Sequence, residues 1–438
     1  MLVMKFGGTS VGNAVRIREV AEIIRSRLPE KPVVIVSAVG GITDKLIAAA
    51  KKCAAGENSE NELNEIETVH QAILSDLGLD KSLLQDELKS FREILQENRD
   101  STFDAQQMDA VQSFGERMSV KILAAYLART GTAAKAFPAW DIGMITNDEF
   151  GNAEPVGAAE EKIKAGLKGI KEVPIITGFI GKTADGHITT LGRGGSDYTA
   201  AIIGAALHAK EIQIWTDVDG VMSADPRIVK EAHTIDTLTF NEASELAYFG
   251  AKVLHPKTIL PAMRKGIPVR VLNTYNPDSK GTVIVSKRSG NGQLVKAVSC
   301  KKNVSIYHIH SLRMLDAAGF LARIFNIFRD HKKSVDTITT SEVSVSLTVN
   351  NAEGMEPIVE ELAKFAEVRF AHNRAIVCII GEQMHENPVV PGKALTLMGR
   401  NNINVKMISQ GASEINITLV MDNTDAEKAV QLLHKEFF

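Results

Sequence analysis

The run PVVIVSA, residues 32 to 38, constrains the fold more than any other stretch of the chain. It is apolar without alternation and rich in β-branched side chains, which suits a strand buried on both faces. Before it comes NAVRIREVAEIIRSRL, where Val15, Ile17, Val20, Ile23, Ile24 and Leu28 recur at helical spacing. That helix is itself preceded by a short apolar run, LVMKF, and the loop GGTSVG. Strand, helix and second buried strand together predict an α/β fold with a parallel-rich sheet sandwiched by helices. Further strands are expected in AAKAFPA, VPIITGFIG, EIQIWTDVDG and IPVRVLN, with a hairpin at ADGHITTLG. Residues 57 to 129 contain no proline and are rich in Glu, Gln, Lys and Leu, so they read as a helical insertion.

The last third carries an internal repeat. GFLARIFNIFRDHKKSVDTITTSEVSVSLTV (319 to 349) and PGKALTLMGRNNINVKMISQGASEINITLVM (391 to 421) share a glycine, an amphipathic helix, a strand, a break and a strand. Val335 aligns with Val405, and Leu347 with Leu419 after a short slip. Each copy has a strand before it, VSIYHIHS or AIVCIIGEQM, and a helix after it, so two ferredoxin-like βαββαβ units are expected. Such a pair binds a small ligand at its interface or serves as a dimerisation module. The basic, small-residue stretch SKRSGNGQL marks a linker. The expected division is therefore 1–285, a linker at 286–294, and units at 295–375 and 376–438. Three domains are also what 438 residues accommodate, at about 150 residues each.

A net charge of −3 gives no global basic field for nucleic acid or an anionic membrane surface. No apolar stretch approaches the ~20 residues needed to span a bilayer. Cys53, Cys300 and Cys378 are odd in number and widely spaced, which fits a reduced, cytoplasmic setting without a zinc site or disulfide framework.

Four loops at predicted strand ends fall at the edge where open α/β sheets bind ligands. KFGGTSVG places Lys5 ahead of Gly7 and Gly8, so that a point charge and a closely approaching backbone can meet phosphate oxygens. LGRGGSDYTA feeds a helix but is neither a Walker loop nor a dinucleotide fingerprint; it is an ordinary glycine turn or an anion site. WTDVDGVMSADPR ends a strand with Asp217 and Asp219, either as Asp-Gly turn chemistry or as a nucleotide loop. FGAKVLHPKT adds Lys252. In SFGERMS, neighbours in sequence point in different directions on a helix, so Glu116 needs a partner other than Arg117. A ligand's ammonium group or a structural ion pair would serve.

KFGGTSV, FGERMS, TGFIG, GRGGSDYTA, TDVDGV, DPR and GAKVLHP occur here in the order found in the aspartokinases, members of the amino acid kinase superfamily, which the chain resembles along its full length. The resemblance implies a monofunctional, ATP-dependent and Mg²⁺-dependent enzyme. It would phosphorylate the side-chain carboxylate of L-aspartate, the first step toward lysine, threonine, methionine and diaminopimelate. By similarity, Lys5 and Lys252 contact the ATP phosphates, while Gly7, Gly8, Thr216, Asp217, Met222 and Arg227 belong to the nucleotide site. Met222 stands where the family usually has tyrosine. Arg193 is expected to clamp an aspartate carboxylate, Glu116 to accept the α-ammonium, and Asp197 to order the lysines. Ser37, Thr43, Phe179 and Ser196 complete the substrate shell, and no all-protein metal cage is expected.

The C-terminal repeat resembles paired ACT domains of the lysine-sensitive branch. Met314, Phe320, Leu321, Ser334, Val335, Asp336, Thr340 and Ser341 match its inhibitor positions. L-lysine feedback and a homodimer or homotetramer built through these domains are the corresponding expectations. Other amino acid kinases and a catalytically inactive amino-acid sensor are the alternatives; the paired repeat and FGERMS speak against the first, and retention of Lys5 and Asp197 against the second.

Overall fold

The structure is a computed structural model that describes residues 1–250, 254–287, 293–315, 317–382, 384, 387–411 and 415–438. The chain divides into two compact units. The first holds Met1–Val221, Asp236–Phe240 and Val253–Arg288; the second holds Met222–Ile235, Asn241–Lys252 and Ser289–Phe438.

Strands of the first unit are β1 (Leu2–Phe6), β2 (Pro32–Val36), β3 (Ala134–Phe137), β4 (Ile145–Thr146), β5 (Val173–Thr177), β6 (Ile180–Thr183), β7 (Ile188–Thr190), β8 (Glu211–Thr216), β9 (Thr237–Thr239), β10 (Val269–Asn273) and β11 (Thr282–Val285). Helices up to the same point are α1 (Ala14–Ser26), α2 (Ile42–Ala54), α3 (Glu60–Leu77), α4 (Gln85–Glu97), α5 (Ala105–Arg129), α6 (Ala159–Gly166), α7 (Gly195–Leu207), α8 (Phe240–Tyr248) and α9 (Pro256–Lys265). An eight-stranded sheet runs β3-β5-β2-β1-β8-β10-β11-β9, and β4-β6-β7 form a separate sheet. The six strands from β3 to β10 pair in parallel. β6 and β7 are the hairpin expected at ADGHITTLG.

Burial explains why β2 does not alternate: all five of its residues are buried, as both faces lie under helices. Each such aliphatic side chain contributes about 1.5–3 kcal/mol on leaving water. The expected helical insertion is α3, α4 and α5. A capping box opens α5, where Asp104 accepts from the Gln107 backbone N–H and Gln107 answers through its side chain. Val111, Phe114, Met118, Ile122 and Leu127 then run along α5 inside the main hydrophobic cluster. No helix among the described residues is long and apolar enough to cross a membrane.

The second unit holds β12 (Ala297–His310), α10 (Phe320–Asp330), β13 (Ile338–Thr340), β14 (Ser344–Val349), α11 (Glu356–Ala363), β15 (Glu367–Ile380), α12 (Val389–Arg400), β16 (Met407–Ser409), β17 (Asn416–Asp422) and α13 (Ala426–Phe437). Its sheet runs β13-β14-β12-β15-β17-β16 and is antiparallel throughout. β12 and β15 are each 14 residues long, and their register breaks between Lys301 and Val304. Ile306–His310 pairs with Glu367–Ala371 in the first half of β15 and belongs to the first repeat. Ala297–Lys301 pairs with Ile376–Ile380 and belongs to the second.

A cut between residues 375 and 376 therefore leaves the second repeat one strand short. Its fourth strand lies upstream, before the first repeat begins, so the first repeat is inserted into the second. Each repeat keeps its own core. Leu347 sits with Tyr307, Ile324, Phe328 and Ile358; Leu419 sits with Val298, Val377, Ala394 and Leu433. Ala224 and Val229, from the stretch Met222–Ile235, join the second of these cores.

Gly281 turns the chain from β10 into β11 with φ +65°, and a Cβ there would stand 2.0 Å from the Val271 carbonyl oxygen. Gly281→Ala is expected to cost about 2–4 kcal/mol, combining left-handed strain with overpacking. Chemical denaturation should show this as a lower midpoint at unchanged slope.

Candidate active site

Parallel pairing brings the carboxyl ends of β1, β2, β5 and β8 to one edge of the sheet, and the site is built there. Lys5 is the penultimate residue of β1. The loop after it passes against the loop after β2: Gly40 N–H donates to the Gly8 carbonyl at 3.1 Å, and Ser37 N–H to the Phe6 carbonyl at 3.1 Å. A Cβ on Gly8 would lie 2.8 Å from the Ala38 carbonyl oxygen, so only glycine permits this approach.

The quoted loop LGRGGSDYTA leads into α7, whose first turn carries Ser196 and Asp197. A carboxylate is favoured there by the positive end of the helix dipole. Asp197 Oδ1 lies 2.6 Å from Lys5 Nζ, with both side chains 12% exposed. Opposite stands Phe179, in the left-handed region at φ +65°. Its N–H donates to Thr199 Oγ1 at 3.0 Å and its carbonyl accepts from Leu191 N–H at 2.8 Å, which holds the strained backbone in place.

These residues enclose a cavity of about 610 Å³. Of the expected residues, Lys5, Gly8, Ser37, Thr43, Glu116, Phe179, Arg193, Ser196 and Asp197 line it. Arg193 is exposed to the cavity and has no ion-pair partner among the described residues. Glu116 lies at the opposite extreme, 3% exposed. Its Oε1 accepts from the Ala38 N–H at 3.2 Å, and its Oε2 has no hydrogen-bond partner among the described residues. Burial pushes its carboxyl up to about 8, against the opposing pull of the Ala38 hydrogen bond and the Lys5 charge. Arg117 turns away, toward Glu87 at 3.9 Å and over the Phe114 ring. The cavity thus joins an unpaired guanidinium, a paired lysine and a buried acid with one unpartnered oxygen, a combination suited to a small zwitterion beside an anion.

The remaining expected residues lie elsewhere. Thr216 ends β8, and its hydroxyl donates to Asp217 Oδ1 at 3.2 Å. Asp219 accepts from Asn273 and Asn276 at 2.8 and 3.1 Å. Gly7 donates to the Trp215 carbonyl at 3.2 Å. Met222 and Arg227 fall in the second unit, where Arg227 pairs with Asp225 at 2.6 Å. Lys252 lies outside the described residues. Also in the second unit, Met314, Phe320, Leu321, Ser334, Val335, Asp336, Thr340 and Ser341 fall just before and at the start of α10 and in and around β13. A cavity of about 510 Å³ in that unit lies instead between α10 and α11.

Asp109 is a residue the sequence reading misses. It is 1% exposed and accepts from Thr190 N–H and Thr190 Oγ1, both at 2.7 Å, and from Gly151 N–H at 2.9 Å. Thr190 and Gly151 both line the cavity, as does Gln112 on the same helix. Asp109, Gln112 and Glu116 follow an i, i+3, i+7 spacing, one face of α5, and that spacing was the available signal.

The raised carboxyl of Glu116 has a signed consequence. A folded value above the unfolded 4.5 means that stability is fully present below 4.5 and is lost as pH rises toward about 8. Glu116→Gln keeps the acceptor for Ala38 and removes the ionisation. Its melting temperature should match the parent near pH 4 and exceed it above pH 8, by an amount equivalent to a few kcal/mol. A gap independent of pH would contradict the assignment.

Comparison with known proteins gives a consistent picture. The amino acid kinase family is matched over residues 1–273 and the ACT domain over 377–437. Aspartokinase 1, chloroplastic, of Arabidopsis thaliana is 42% identical over 100% of this chain and 80% of its own. E. coli aspartokinase III, solved with aspartate and ADP in the R-state, is 36% identical, has a TM-score of 0.84 and matches over 100% of both chains. The same enzyme solved with lysine and aspartate in the T-state has a TM-score of 0.82 at 36% identity, over 100% of this chain and 99% of that one. With such identity sustained along the whole chain and the cavity residues in place, the chain belongs to the aspartokinases and is an aspartate kinase.

Proposed function

We propose that the cavity holds L-aspartate next to the γ-phosphate of ATP, and that a side-chain carboxylate oxygen of aspartate attacks the γ-phosphorus. The new P–O bond gives an acyl phosphate, 4-phospho-L-aspartate, while the bond to the β-phosphate oxygen breaks and ADP leaves with the electron pair. The observation that carries this reading is the Lys5–Asp197 pair at 2.6 Å in the same cavity as Arg193 and Glu116. The E. coli relative bound to aspartate and ADP supports it.

A carboxylate is ionised at neutral pH, so no base is needed; catalysis rests on alignment and charge neutralisation. Lys5 stabilises charge on the transferring group, and Asp197 holds its ammonium in position. Arg193 clamps an aspartate carboxylate in its planar fork. Glu116 receives the α-ammonium on its unpartnered oxygen, and the arriving positive charge favours its ionised form. Asp109 acts through Thr190 and Gly151 and is a positioning residue. Ser37, Thr43, Phe179 and Ser196 shape the substrate pocket. For the nucleotide, the family resemblance assigns Thr216 and Asp217 in the first unit and, separately, Met222, Arg227 and Lys252, with Lys252 as the second phosphate lysine.

The glycine-limited approach at Gly8 fits a phosphate chain. Mg²⁺ would be carried on those phosphates and supply charge neutralisation; no group of three or more His, Cys, Asp or Glu side chains among the described residues forms a cage. L-lysine is the effector read for the second unit, supported by the E. coli T-state complex with lysine. A homodimer or homotetramer through the ACT repeats is the assembly inferred from the family resemblance. A reducing, cytoplasmic setting is the one read from the three widely spaced thiols Cys53, Cys300 and Cys378.

A hydroxamate assay with ATP, Mg²⁺ and candidate acids tests the reaction: aspartate should yield acyl phosphate, and selective use of another acid would overturn the reading. Lys5→Ala should lower kcat by about 10²–10³-fold with little change in aspartate KM. Arg193→Ala should instead raise aspartate KM by about 10–100-fold. Asp109→Asn, which presents an amide N–H to backbone donors, should also raise KM more than it lowers kcat.

A further inference from the structure

One carboxylate in the second unit gathers three separate stretches of chain. The Asp336 side chain is 1% exposed. Its Oδ1 accepts from the Tyr248 hydroxyl and from Asn350 Nδ2 at 3.2 Å, and Lys301 Nζ lies 3.3 Å from the same oxygen. The Lys301 ammonium also stands 4.6 Å from the centre of the Tyr248 ring. Oδ2 is buried and has no hydrogen-bond partner among the described residues. Lys301 ends the upstream strand of the second repeat, Asp336 precedes β13 of the first, and Tyr248 closes α8.

A buried carboxylate beside an aromatic face is the environment that holds an alkylammonium group. Here the ammonium comes from the chain itself. The Asp336 carboxylate already faces one partly buried cation; a second ammonium beside it would leave an uncompensated positive charge in a poorly solvated site. An incoming amine must therefore displace Lys301. Burial, and then the Asp336 carboxylate, hold the Tyr248 phenol well above its ordinary value, so it remains a donor at working pH. Three residues beyond Tyr248 the chain enters the stretch 251–253, which contains Lys252.

We propose that Lys301 is a built-in competitor for the effector's ammonium at Asp336, and that Tyr248 transmits the exchange to α8. This rests on the reading of L-lysine as effector. Lys301 would set the effector threshold, and Tyr248 would couple occupancy to catalysis.

Calorimetric titration of the full chain with L-lysine, beside lysine inhibition of the kinase reaction, tests both parts. Lys301→Met should bind lysine about five- to tenfold more tightly, as expected for losing a partly buried ionic hydrogen bond. Lys301→Arg, which keeps the charge, should stay near the parent affinity. Tyr248→Phe should still bind lysine yet lose roughly half or more of the maximal inhibition, the sign of broken coupling. Unchanged or weaker binding by Lys301→Met, tightening by Lys301→Arg as well, or full inhibition of Tyr248→Phe would overturn the proposal. If wild type binds lysine and Asp336→Asn does not, the effector reading stands whatever the Lys301 result. If wild type shows no binding heat and no inhibition, the effector reading falls and the proposal with it.

Discussion

The structure of the catalytic unit depends on β1 being paired in parallel on both sides, with β2 and with β8. Parallel strands cannot be joined by tight turns, so each needs a crossover, and the crossovers bury both sheet faces. All strand ends of one polarity then lie at one edge. Lys5, the loop at Gly8, the loop at Ser37 and Phe179 are neighbours for that reason, although they are far apart in sequence. The edge supplies backbone groups and close approach; the helices behind it supply the carboxylates. Asp197 comes from the first turn of α7, and Glu116 from the middle of α5.

The two acids are set to different tasks by their surroundings. Asp197 has the Lys5 ammonium as its partner at 2.6 Å. Glu116 has backbone hydrogen bonding and a more distant lysine, too little to offset burial. A group in that condition gains from any cation brought to it. The site thus carries an unmet electrostatic demand of two signs, at Arg193 and at Glu116, that a zwitterion can fulfil.

Much of this was legible in the sequence because it is local. Lys5, Gly8, Arg193, Ser196 and Asp197 sit in or directly beside loops whose glycines and helix start announce them, and the unbroken β-branched run in β2 announced the parallel sheet. The family resemblance added Ser37, Thr43 and Phe179, which carry no distinctive local signal. What stayed hidden depends on partners remote in sequence. Asp109 is satisfied by donors 42 and 81 positions away. The Tyr248–Asp336 bond spans 88 positions. The strand that completes the second repeat was hidden because AVSCKK reads as part of one long strand. Only the register break at Lys301 to Val304 assigns its two halves to different cores.

That interleaving has a consequence for biosynthesis. A ribosome emits the strand Ala297–Lys301 long before its partners in Ile376–Ile380 exist, and the intervening repeat can fold first because its own pieces are contiguous. Until the C-terminal stretch arrives, the upstream strand presents an unpaired edge, and Ala224 and Val229 lack the apolar core that covers them. The part of the chain that bears DPR therefore finishes last, although it is made early. Nascent chains stalled before the second repeat should be more dependent on chaperones than their completed catalytic sheet alone would imply.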